Sequence, residues 1–335
     1  MPTTTRPNPR TCPPSAHARP ILTGHLARCP RSARRNGRRS ARVRVEDQQL
    51  RDRHPGGTAP VTDGACDGRP DTADRYVFDR EWEREHERLA ALEAVYDGVT
   101  LDRLAGLGVA EGWQCLEVGC GAGSVARWLA ERVGARGSVL AIDLDPRFAE
   151  GHGLPNLTVR RQDLLTDPLP ADAYDLVHAR ALLEHLPARE QALDRLAAAT
   201  RPGGWVVVED FDIEGAMAAA VARYWPAGHT GLAERLYSAL QAVFGGAGGD
   251  AGCGRWLPDA LARAGLTEIG ALVHAPLLRG GTPFLVLTLR QLRAPLLAGG
   301  LITAQELDKA LELIQCQEIR YTPNFMVTAW GRRPG

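Results

Sequence analysis

Apolar and polar positions form regular blocks from about residue 76 onward, and their period changes between strand-like and helix-like. The short apolar runs that predict strands lie at 114–118, 138–142, 157–161, 174–179 and 204–210. Segments between them, such as 124–134 and 189–200, carry apolar residues at helical spacing. The strand runs lack period-two alternation, which is typical of strands buried on both faces. This succession of strands and helices predicts a parallel, doubly wound α/β sheet.

The pattern continues on both sides of this core. The helices predicted outside the core lie at 80–108, in most of 213–264, and at 283–297 and 303–316. The last of these begins with Thr303 and Glu306 at the spacing of a capping box. Further strands are predicted at 266–276 and 324–333.

The first 72 residues are rich in Pro, Arg, Gly and Thr and lack apolar periodicity, which predicts disorder. Residues 1–53 hold 13 arginines and 3 acidic residues, which leaves 27 basic and 37 acidic residues for the rest. An inert leader, or a start of translation downstream, is the preferred interpretation. A nucleic-acid arm, a transit peptide and a membrane-surface tether stay open as alternatives.

Composition also restricts the class of protein. No apolar run reaches the roughly 18 residues of a membrane helix, and the start of the chain has no secretory h-region. The seven cysteines are scattered and form no CxxC pair, which predicts reduced thiols in a cytoplasmic protein. The acidic remainder argues against a nucleic-acid duplex as a partner. We therefore expect no membrane and no nucleic acid, and nothing in the sequence indicates an oligomeric state.

The stretch LEVGCGAGS at 116–124 places Gly119, Gly121 and Gly123 directly after the first core strand. Such a turn lets a ligand approach the backbone and the free N–H groups of the following helix. One interpretation is an NAD(P)-dependent oxidoreductase, since the last two glycines, with Asp143 about 20 residues on, match a dinucleotide fingerprint. However, Glu117 would repel a pyrophosphate, whereas an anion suits a cationic adenosyl ligand.

Six short stretches carry a more specific signal. They lie at 117–123, 142–146, 162–164, 174–180, 183–187 and 201–204. Together they resemble the class I S-adenosylmethionine-dependent methyltransferases, in that family's order and spacing, over about 114–210. The resemblance implies a Rossmann-like doubly wound sheet of seven strands, the last antiparallel, with a mostly helical cap. It also implies S-adenosyl-L-methionine as the cofactor.

The resemblance implies eight cofactor-binding residues: Glu117, Gly119, Gly121, Gly123, Asp143, Asp163, Leu164 and Arg180. The glycines would pass the methionine part and the ribose, and Asp143 would accept hydrogen bonds from both ribose hydroxyls. Asp163 would accept from the adenine amino group, with the N–H of Leu164 near the ring. Arg180 and Glu117 would face the methionine end. A helix cap or turn for the aspartates, and a surface salt bridge for Arg180, are the structural alternatives.

Methyl transfer from a sulfonium needs alignment and, where the acceptor loses a proton, a base. Candidate bases near the strand ends are His178, Glu184, His185, Glu209, Asp210 and Asp212. His185 is the best placed because histidine titrates near neutral pH, and Glu209 is the second choice. A packed histidine and a strand-ending carboxylate are the alternatives. Glu184-His185 resembles part of a Glu-x-x-Glu-His metal motif, but Ala181 stands at its first position, so we expect no metal.

We expect a disordered leader at 1–72, N-terminal helices and the cofactor-binding core at 73–212, and helical cap segments plus the final strands at 213–335. Aromatic residues of the cap would form its core and line part of an acceptor pocket. The leading function is methyl transfer to an oxygen, nitrogen or carbon atom of a small organic acceptor in secondary metabolism. The alternatives are the oxidoreductase, a methyltransferase acting on RNA or protein, and a cofactor-binding protein without catalysis.

Overall fold

The computed structural model describes residues 77–335 of the chain. The predicted leader at 1–72 and the first core residues at 73–76 lie outside the described residues. Those predictions stay predictions, as does the division of the chain at 212/213. From α1 (Glu85–Gly106) to the last strand, helices and strands follow one another along the chain.

The regular elements follow the predicted alternation closely. The strands are β1 (Gln114–Val118), β2 (Ser138–Asp143), β3 (Leu157–Arg161), β4 (Tyr174–Arg180), β5 (Thr200–Asp212), β6 (Thr267–His274), β7 (Leu278–Arg279), β8 (Arg320–Tyr321) and β9 (Phe325–Arg332). The helices after α1 are α2 (Ser124–Val133), α3 (Arg189–Ala199), α4 (Ala216–Arg223), α5 (Thr230–Gly246), α6 (Cys253–Arg263), α7 (Pro283–Gln291), α8 (Arg293–Ala298) and α9 (Ala304–Gln315).

Seven strands form one sheet in the order β3-β2-β1-β4-β5-β9-β6. Strands β1 to β5 pair in parallel, and β9 runs antiparallel to both of its neighbours, β5 and β6. The strand order reverses between β1 and β4, which is the place where sheets of this kind bind ligands. The predicted fold class, a doubly wound seven-stranded sheet with an antiparallel last strand and added helices, is therefore confirmed.

Both faces of the sheet are covered, which explains the apolar strands without alternation. On β1, Cys115 packs in the same cluster as Leu129 of α2, whereas Leu116 packs on the opposite face with Leu193 of α3 and Leu261 of α6. All seven residues of β4 are buried. Burial of apolar surface on both faces supplies most of the favourable free energy of such a core.

A third core lies among the added helices. It joins residues of α1, α4, α5, α7, α8 and α9 to the ends of β5 and β9. Thr303 caps α9 as predicted: its hydroxyl accepts from the N–H of Glu306, whose carboxylate accepts the N–H of Thr303 at 2.9 Å. The two-stranded sheet of β7 and β8 was not predicted, because two residues per strand leave no period to detect.

Candidate active site

The turn between β1 and α2 uses backbone conformations that favour glycine. The φ angles of Gly119, Gly121 and Gly123 are +71°, +54° and +86°. A Cβ atom on Gly123 would lie 2.9 Å from the Cβ of Ala149, and one on Gly119 would lie 3.2 Å from the Cδ1 of Leu182. The turn therefore presents bare backbone beside the N-terminus of α2, where N–H groups favour polar ligands.

A cavity opens above this turn, at the carboxyl ends of β1, β2 and β4. Its empty volume, open mouth included, is about 1760 Å³. Its wall includes most of the predicted site residues, namely Glu117, Gly119, Gly121, Asp143, Asp163, Leu164, Arg180 and His185. Gly123 does not line the cavity; it lies behind the turn as the N-cap residue of α2.

Asp143 ends β2 and faces the glycine turn. Its Oδ2 atom accepts the N–H of Gly121 at 3.0 Å, and its Oδ1 atom accepts the N–H of Asp145 at 2.9 Å. Burial raises the pKa of Asp143, and these two hydrogen bonds act in the opposite direction. Because a carboxylate oxygen accepts two hydrogen bonds, each oxygen keeps capacity for a ligand hydroxyl.

Asp163 and Leu164 follow β3 at the far side of the cavity. The Asp163 carboxylate accepts the N–H of Leu165 at 2.8 Å and the hydroxyl of Thr166 at 3.1 Å. The side chain thus stabilises its own turn, which is the structural alternative to ligand binding, while still forming part of the wall. Leu164 is buried beside it.

Glu117 and Arg180 lie on the wall at the predicted methionine end. The Oε2 atom of Glu117 lies 2.7 Å from the Nδ1 atom of His178. Arg180 donates to the hydroxyl of Thr100 at 2.9 Å and to the carboxylate of Asp97 at 2.8 Å. Residues of α1 therefore fix the direction of Arg180, and its side chain is no exposed surface salt bridge.

Glu209 is not placed where the general-base prediction needs it. The side chain is fully buried below the cavity and does not line it. Its two carboxylate oxygens accept the hydroxyls of Thr100 at 2.5 Å and Thr328 at 2.6 Å. Although burial alone would raise the pKa of Glu209, its hydrogen bond with His178 lowers it. This geometry favours a structural role, because a proton acceptor must reach its substrate.

His185 lies on the wall, between two phenyl rings. Its ring stacks on Phe244 at 5.4 Å between centroids and meets Phe78 edge-on at 5.9 Å. Burial, together with the positive charge of Arg88, lowers the pKa of His185 to about 3. The imidazole is therefore neutral at physiological pH, and it is a weaker base than the unperturbed histidine on which the prediction relied.

Glu184 and Asp210 form a buried acidic pair next to this histidine. Glu184 lines the cavity, and its Oε1 atom lies 3.4 Å from the Nε2 atom of His185. Burial and the charge of Asp210 raise the pKa of Glu184 well above its usual value. Burial also raises the pKa of Asp210, to about 7. Both residues were candidate bases by position, but their pairing depends on tertiary contacts.

Four phenyl rings of the cavity wall belong to one buried apolar cluster, and we call the part of the wall that they form the outer half. They are Phe78, Phe211, Phe244 and Phe284, whereas a fifth ring of the wall, Phe148, stacks on His86 outside this cluster. The prediction that few cap aromatics line the pocket fits Phe244 and Phe284, whereas Trp225 and Tyr237 pack in the helical core. Phe211 was not singled out in the sequence, since it lies near the end of β5 and not in the cap.

Sequence reasoning also missed an ion pair in the wall. Glu85 and Arg88, one turn apart on α1, are both buried, and the Nη2 atom of Arg88 lies 2.6 Å from the Oε1 atom of Glu85. The guanidinium carbon lies 3.9 Å from the ring centroid of Phe78. Only the spacing of three residues on a helix could have indicated this pair, and that spacing is common on exposed helices.

Strand order, glycine turn and the carboxylates that follow β2 and β3 together define a class I S-adenosylmethionine-dependent methyltransferase. The family model of the methyltransferase domain matches residues 74–241, about half of the chain, and the chain belongs to this family. S-adenosyl-L-methionine is accordingly the cofactor.

Several curated relatives resemble part of the chain. Methyltransferase str3 of Strobilurus tenacellus is 34% identical over 139 residues, which are 40% of this chain and 47% of that protein. Methyltransferase GfsG of Streptomyces halstedii is 29% identical over 117 residues, 33% of this chain and 42% of that protein. The ubiquinone biosynthesis O-methyltransferase of Albidiferax ferrireducens is 37% identical over 105 residues, 28% of this chain and 40% of that protein. The chain thus spans less than half the length of these relatives.

Solved structures with a similar arrangement are more distant in sequence. Phosphoethanolamine N-methyltransferase 2 of Haemonchus contortus, in complex with S-adenosyl-L-methionine, is 14% identical with a TM-score of 0.47, covering 76% of this chain and 59% of that chain. A SAM-dependent methyltransferase from Aquifex aeolicus is 17% identical with a TM-score of 0.41, covering 74% and 97% of the two chains.

The wall residues of this chain fit the cofactor. Side chains at the glycine turn would fill the space in which a ribose and an amino-acid chain approach the backbone. Asp143 offers one further acceptor site on each carboxylate oxygen, as a ribose diol requires. Glu117 supplies a buried carboxylate for the cationic methionine end.

Within residues 77–335, no helix is both long and apolar enough to cross a membrane. In the same part of the chain, no group of three or more histidine, cysteine or acidic residues is arranged to hold a metal ion.

Proposed function

We propose that this protein transfers the methyl group of S-adenosyl-L-methionine to an oxygen, nitrogen or carbon atom of a small organic acceptor. The observation that carries the proposal is that the wall of one cavity holds two chemically different sets of residues. The inner half holds Glu117, Asp143 and the bare backbone of the glycine turn. The outer half holds the four phenyl rings. A polar cofactor and an apolar acceptor therefore fit side by side.

In this proposal, Asp143 accepts the ribose hydroxyls, Asp163 the adenine amino group, and Glu117 and Arg180 hold the methionine end. The bound sulfonium supplies an activated methyl group, which the nucleophile of the acceptor attacks in line. The protein's own contribution is mainly to align the two partners and to exclude water. The lining of the outer half, apolar and largely buried, serves both purposes.

The acceptor proposed for the outer half has an apolar or aromatic body and at least one polar hydrogen. Asn324 lines this half, and its Oδ1 atom has no hydrogen-bond partner among the described residues. A buried oxygen without a donor is unfavourable by about 1–3 kcal/mol. An N–H or O–H group of the acceptor directed at this atom would remove that penalty.

Two side chains stand on the wall where a leaving proton could be received, His185 and Glu184. Of the two originally expected bases, His185 stays in the proposal and Glu209 does not, because Glu209 has no access to the cavity. The relatives include an O-methyltransferase of ubiquinone biosynthesis and a sterol 24-C-methyltransferase. Similarity to these proteins therefore does not identify which atom of the acceptor attacks the methyl group.

We propose further that the acceptor is a secondary metabolite and that the reaction takes place in the cytoplasm. Both proposals are consistent with the apolar outer half and with the cysteines of residues 77–335, at 115, 120, 253 and 316, which are all free thiols. The net acidic remainder of the chain disfavours a nucleic-acid acceptor. A methyltransferase of RNA or protein would instead need the arginine-rich leader, so deletion of residues 1–70 would abolish its activity.

The proposal is tested by calorimetric titration of the full chain with S-adenosyl-L-methionine, with NADH in parallel. We expect micromolar binding of S-adenosyl-L-methionine and none of NADH. Asp143→Ala should weaken the binding strongly, while Asp194→Ala, an exposed change on α3 outside the cavity, should not. Binding of NADH alone would overturn the proposal, and binding without turnover on any acceptor in a screen would leave a cofactor-binding protein.

A further inference from the structure

One histidine inside the sheet lies between two buried carboxylates. His178 sits on β4 with no exposed surface. Its Nδ1 atom lies 2.7 Å from Oε2 of Glu117, and its Nε2 atom lies 3.3 Å from Oε2 of Glu209. The register of the parallel strands places two members of this row side by side, since Glu117 on β1 pairs directly with His178 on β4. Glu209 on β5 pairs with Arg180, two residues further along β4. Neighbouring Cβ atoms at paired positions point to the same face.

With both neighbouring carboxylates ionised, the contacts need a charged imidazole. Only the imidazolium donates from both ring nitrogens, one to each carboxylate. Burial lowers the pKa of His178, but the charges of Glu117 and Glu209 outweigh burial and raise it to about 9. His178 is therefore a buried cation at neutral pH. It cannot act as the general base that its position near the strand ends suggested.

The two carboxylates have different surroundings. Glu209 is anchored by hydroxyls of Thr100 and Thr328, from α1 and β9. Within the described residues, the side chain of Glu117 has one hydrogen-bond partner, His178, and it is the member of the row that lines the cavity. Glu209 is therefore held in place by two hydroxyls below the cavity, whereas Glu117 presents its carboxylate in the cavity wall.

The same row of side chains is also hydrogen bonded, through Thr100, to a second residue of the cavity wall, Arg180. The hydroxyl of Thr100, which donates to Glu209, accepts from Nη1 of Arg180 at 2.9 Å. Arg180 also pairs with Asp97 of α1. Two wall residues at the predicted methionine end, Glu117 and Arg180, are therefore connected through buried side chains of β4, β5 and α1. A change at His178 is expected to act on the cofactor site without any contact with the cofactor.

We propose that His178 is a positioning residue, which as a buried imidazolium holds the Glu117 carboxylate in place for the methionine end of S-adenosyl-L-methionine. This inference rests on the proposed function, since it needs the cofactor in the cavity. It differs from a stabilising role in the core, because the effect on cofactor affinity passes through one named side chain.

A double-mutant cycle on cofactor affinity tests this assignment. We expect His178→Gln to weaken binding of S-adenosyl-L-methionine about 10- to 100-fold, the range for loss of a charge-assisted hydrogen bond. Glu117→Gln should weaken it by a similar factor. In the Glu117→Gln background, His178→Gln should have no further effect. Equal losses in both backgrounds would show a general structural effect and overturn the inference.

His178→Asn is the matched control, since its amide nitrogen can replace the Nδ1 donor toward Glu117. Because the amide is neutral, His178→Asn should recover part, but not all, of the affinity lost in His178→Gln. A wild-type protein that does not bind the cofactor refutes the proposed function. A wild type that binds it and a His178→Gln variant that binds equally well refute only the inference.

A second measurement, on the wild-type protein, tests the charge of His178 directly. Nitrogen-15 spectra of histidine-labelled wild-type protein at pH 8 should show one ring with both nitrogens protonated, at a pH where ordinary histidines are neutral. Absence of that signal from the His178→Asn spectrum would assign it. A wild-type spectrum with only neutral rings at pH 8 would overturn the inference.

Discussion

Glu184 and Asp210 are connected by hydrogen bonds between side-chain carboxylates and backbone N–H groups. The N–H of Glu184 donates to Oδ1 of Asp210 at 3.2 Å, and the N–H of Phe211, next to Asp210, donates to Oε2 of Glu184 at 3.1 Å. The turn Leu183–His185 is thereby fastened to the end of β5. The same contacts hold two acidic groups together in the interior, where ionising both is unfavourable.

The first prediction is that this pair makes stability depend on pH. The pKa of Asp210 is raised by burial from 3.8 in the unfolded chain to about 7 in the fold. A raised carboxyl pKa means that folding is favoured below pH 4 and loses stability as pH rises through about 7. Asp210→Asn removes this loss and keeps an oxygen for the N–H of Glu184.

We therefore expect Asp210→Asn to be more stable than wild type at pH 8, and its advantage to grow by about 2–3 kcal/mol between pH 5 and pH 8. Urea unfolding at several pH values measures the difference. A variant that is less stable at pH 8 would show that the ionised carboxylate is stabilised by contacts that Asn cannot replace.

His178 should affect stability in the same pH direction for the opposite electrostatic reason. Burial opposes its charge, but its two carboxylate neighbours raise its pKa from 6.5 to about 9. The resulting stabilisation is fully present below pH 6.5 and is lost between pH 6.5 and 9. His178→Asn should flatten this part of the stability profile, and unchanged pH dependence in the variant would contradict the buried cation.

The sequence predicted the scaffold of this site better than its chemistry. Motif spacing placed Asp143 and the glycines at strand ends, where the parallel topology brings them together. Glu209 does not line the cavity, and a strand-end position in the sequence does not reveal on which side of the strand end a side chain lies. His185 was judged by its unperturbed pKa, which burial lowers to about 3.

Other features had no local signal at all. The contact between Glu117 and His178 joins residues far apart in the chain through strand register. The contact between Phe78 and His185 depends on where the segment before α1 packs. Such contacts are tertiary, and neither propensity nor periodicity contains them. The capping box at Thr303 shows the reverse case, in which all of the interacting groups lie within one turn.

The glycine turn offers a test that separates stability from binding. At Gly123 an added Cβ atom would lie 2.9 Å from the Cβ of Ala149, and φ is +86°. At Gly121 the nearest atom, Cδ2 of Leu89, would be 3.6 Å away, and φ is +54°. Both variants carry left-handed strain of about 1–2 kcal/mol, but only Gly123→Ala adds a clash within the fold.

We therefore expect Gly123→Ala to lower the free energy of unfolding by clearly more than Gly121→Ala. Gly121→Ala should instead weaken S-adenosyl-L-methionine binding at least about tenfold, because its methyl group enters the cavity wall. Thermal unfolding and calorimetry on the same preparations measure both effects. Equal losses of stability, or normal binding by Gly121→Ala, would contradict this division of the turn.

Replacing Glu85 or Arg88 alone should lower the free energy of unfolding strongly, whereas replacing both with apolar residues should lower it much less. Both side chains are buried, and the two are hydrogen bonded at 2.6 and 2.8 Å. Arg88→Met leaves a buried carboxylate, which destabilises by about 3–5 kcal/mol. Glu85→Leu combined with Arg88→Met should recover most of that loss. Urea unfolding of the single and double variants measures it, and additive losses would show that the pair is not coupled.

The last prediction concerns His185 as a proton acceptor. Its ring lies in the cavity wall between Phe78 and Phe244, and burial and the charge of Arg88 lower its pKa to about 3. A histidine that stays neutral throughout the usual assay range cannot give a rate profile that rises with a midpoint near pH 6.5. The rate of methyl transfer to an accepted hydroxyl substrate should therefore show no step there. Glu184 should give a step well above the usual carboxyl range instead, since burial and the charge of Asp210 raise its pKa.

Two variants separate these residues. His185→Phe keeps the stacking on Phe244, so it should preserve cofactor affinity and change the maximal rate less than tenfold if Glu184 receives the proton. Glu184→Gln should then lower the maximal rate by about 10²-fold or more, a usual effect of removing a general base. A large loss in His185→Phe, together with a step near pH 6.5 that disappears in this variant, would restore His185 as the base and show that its surroundings in solution raise its pKa.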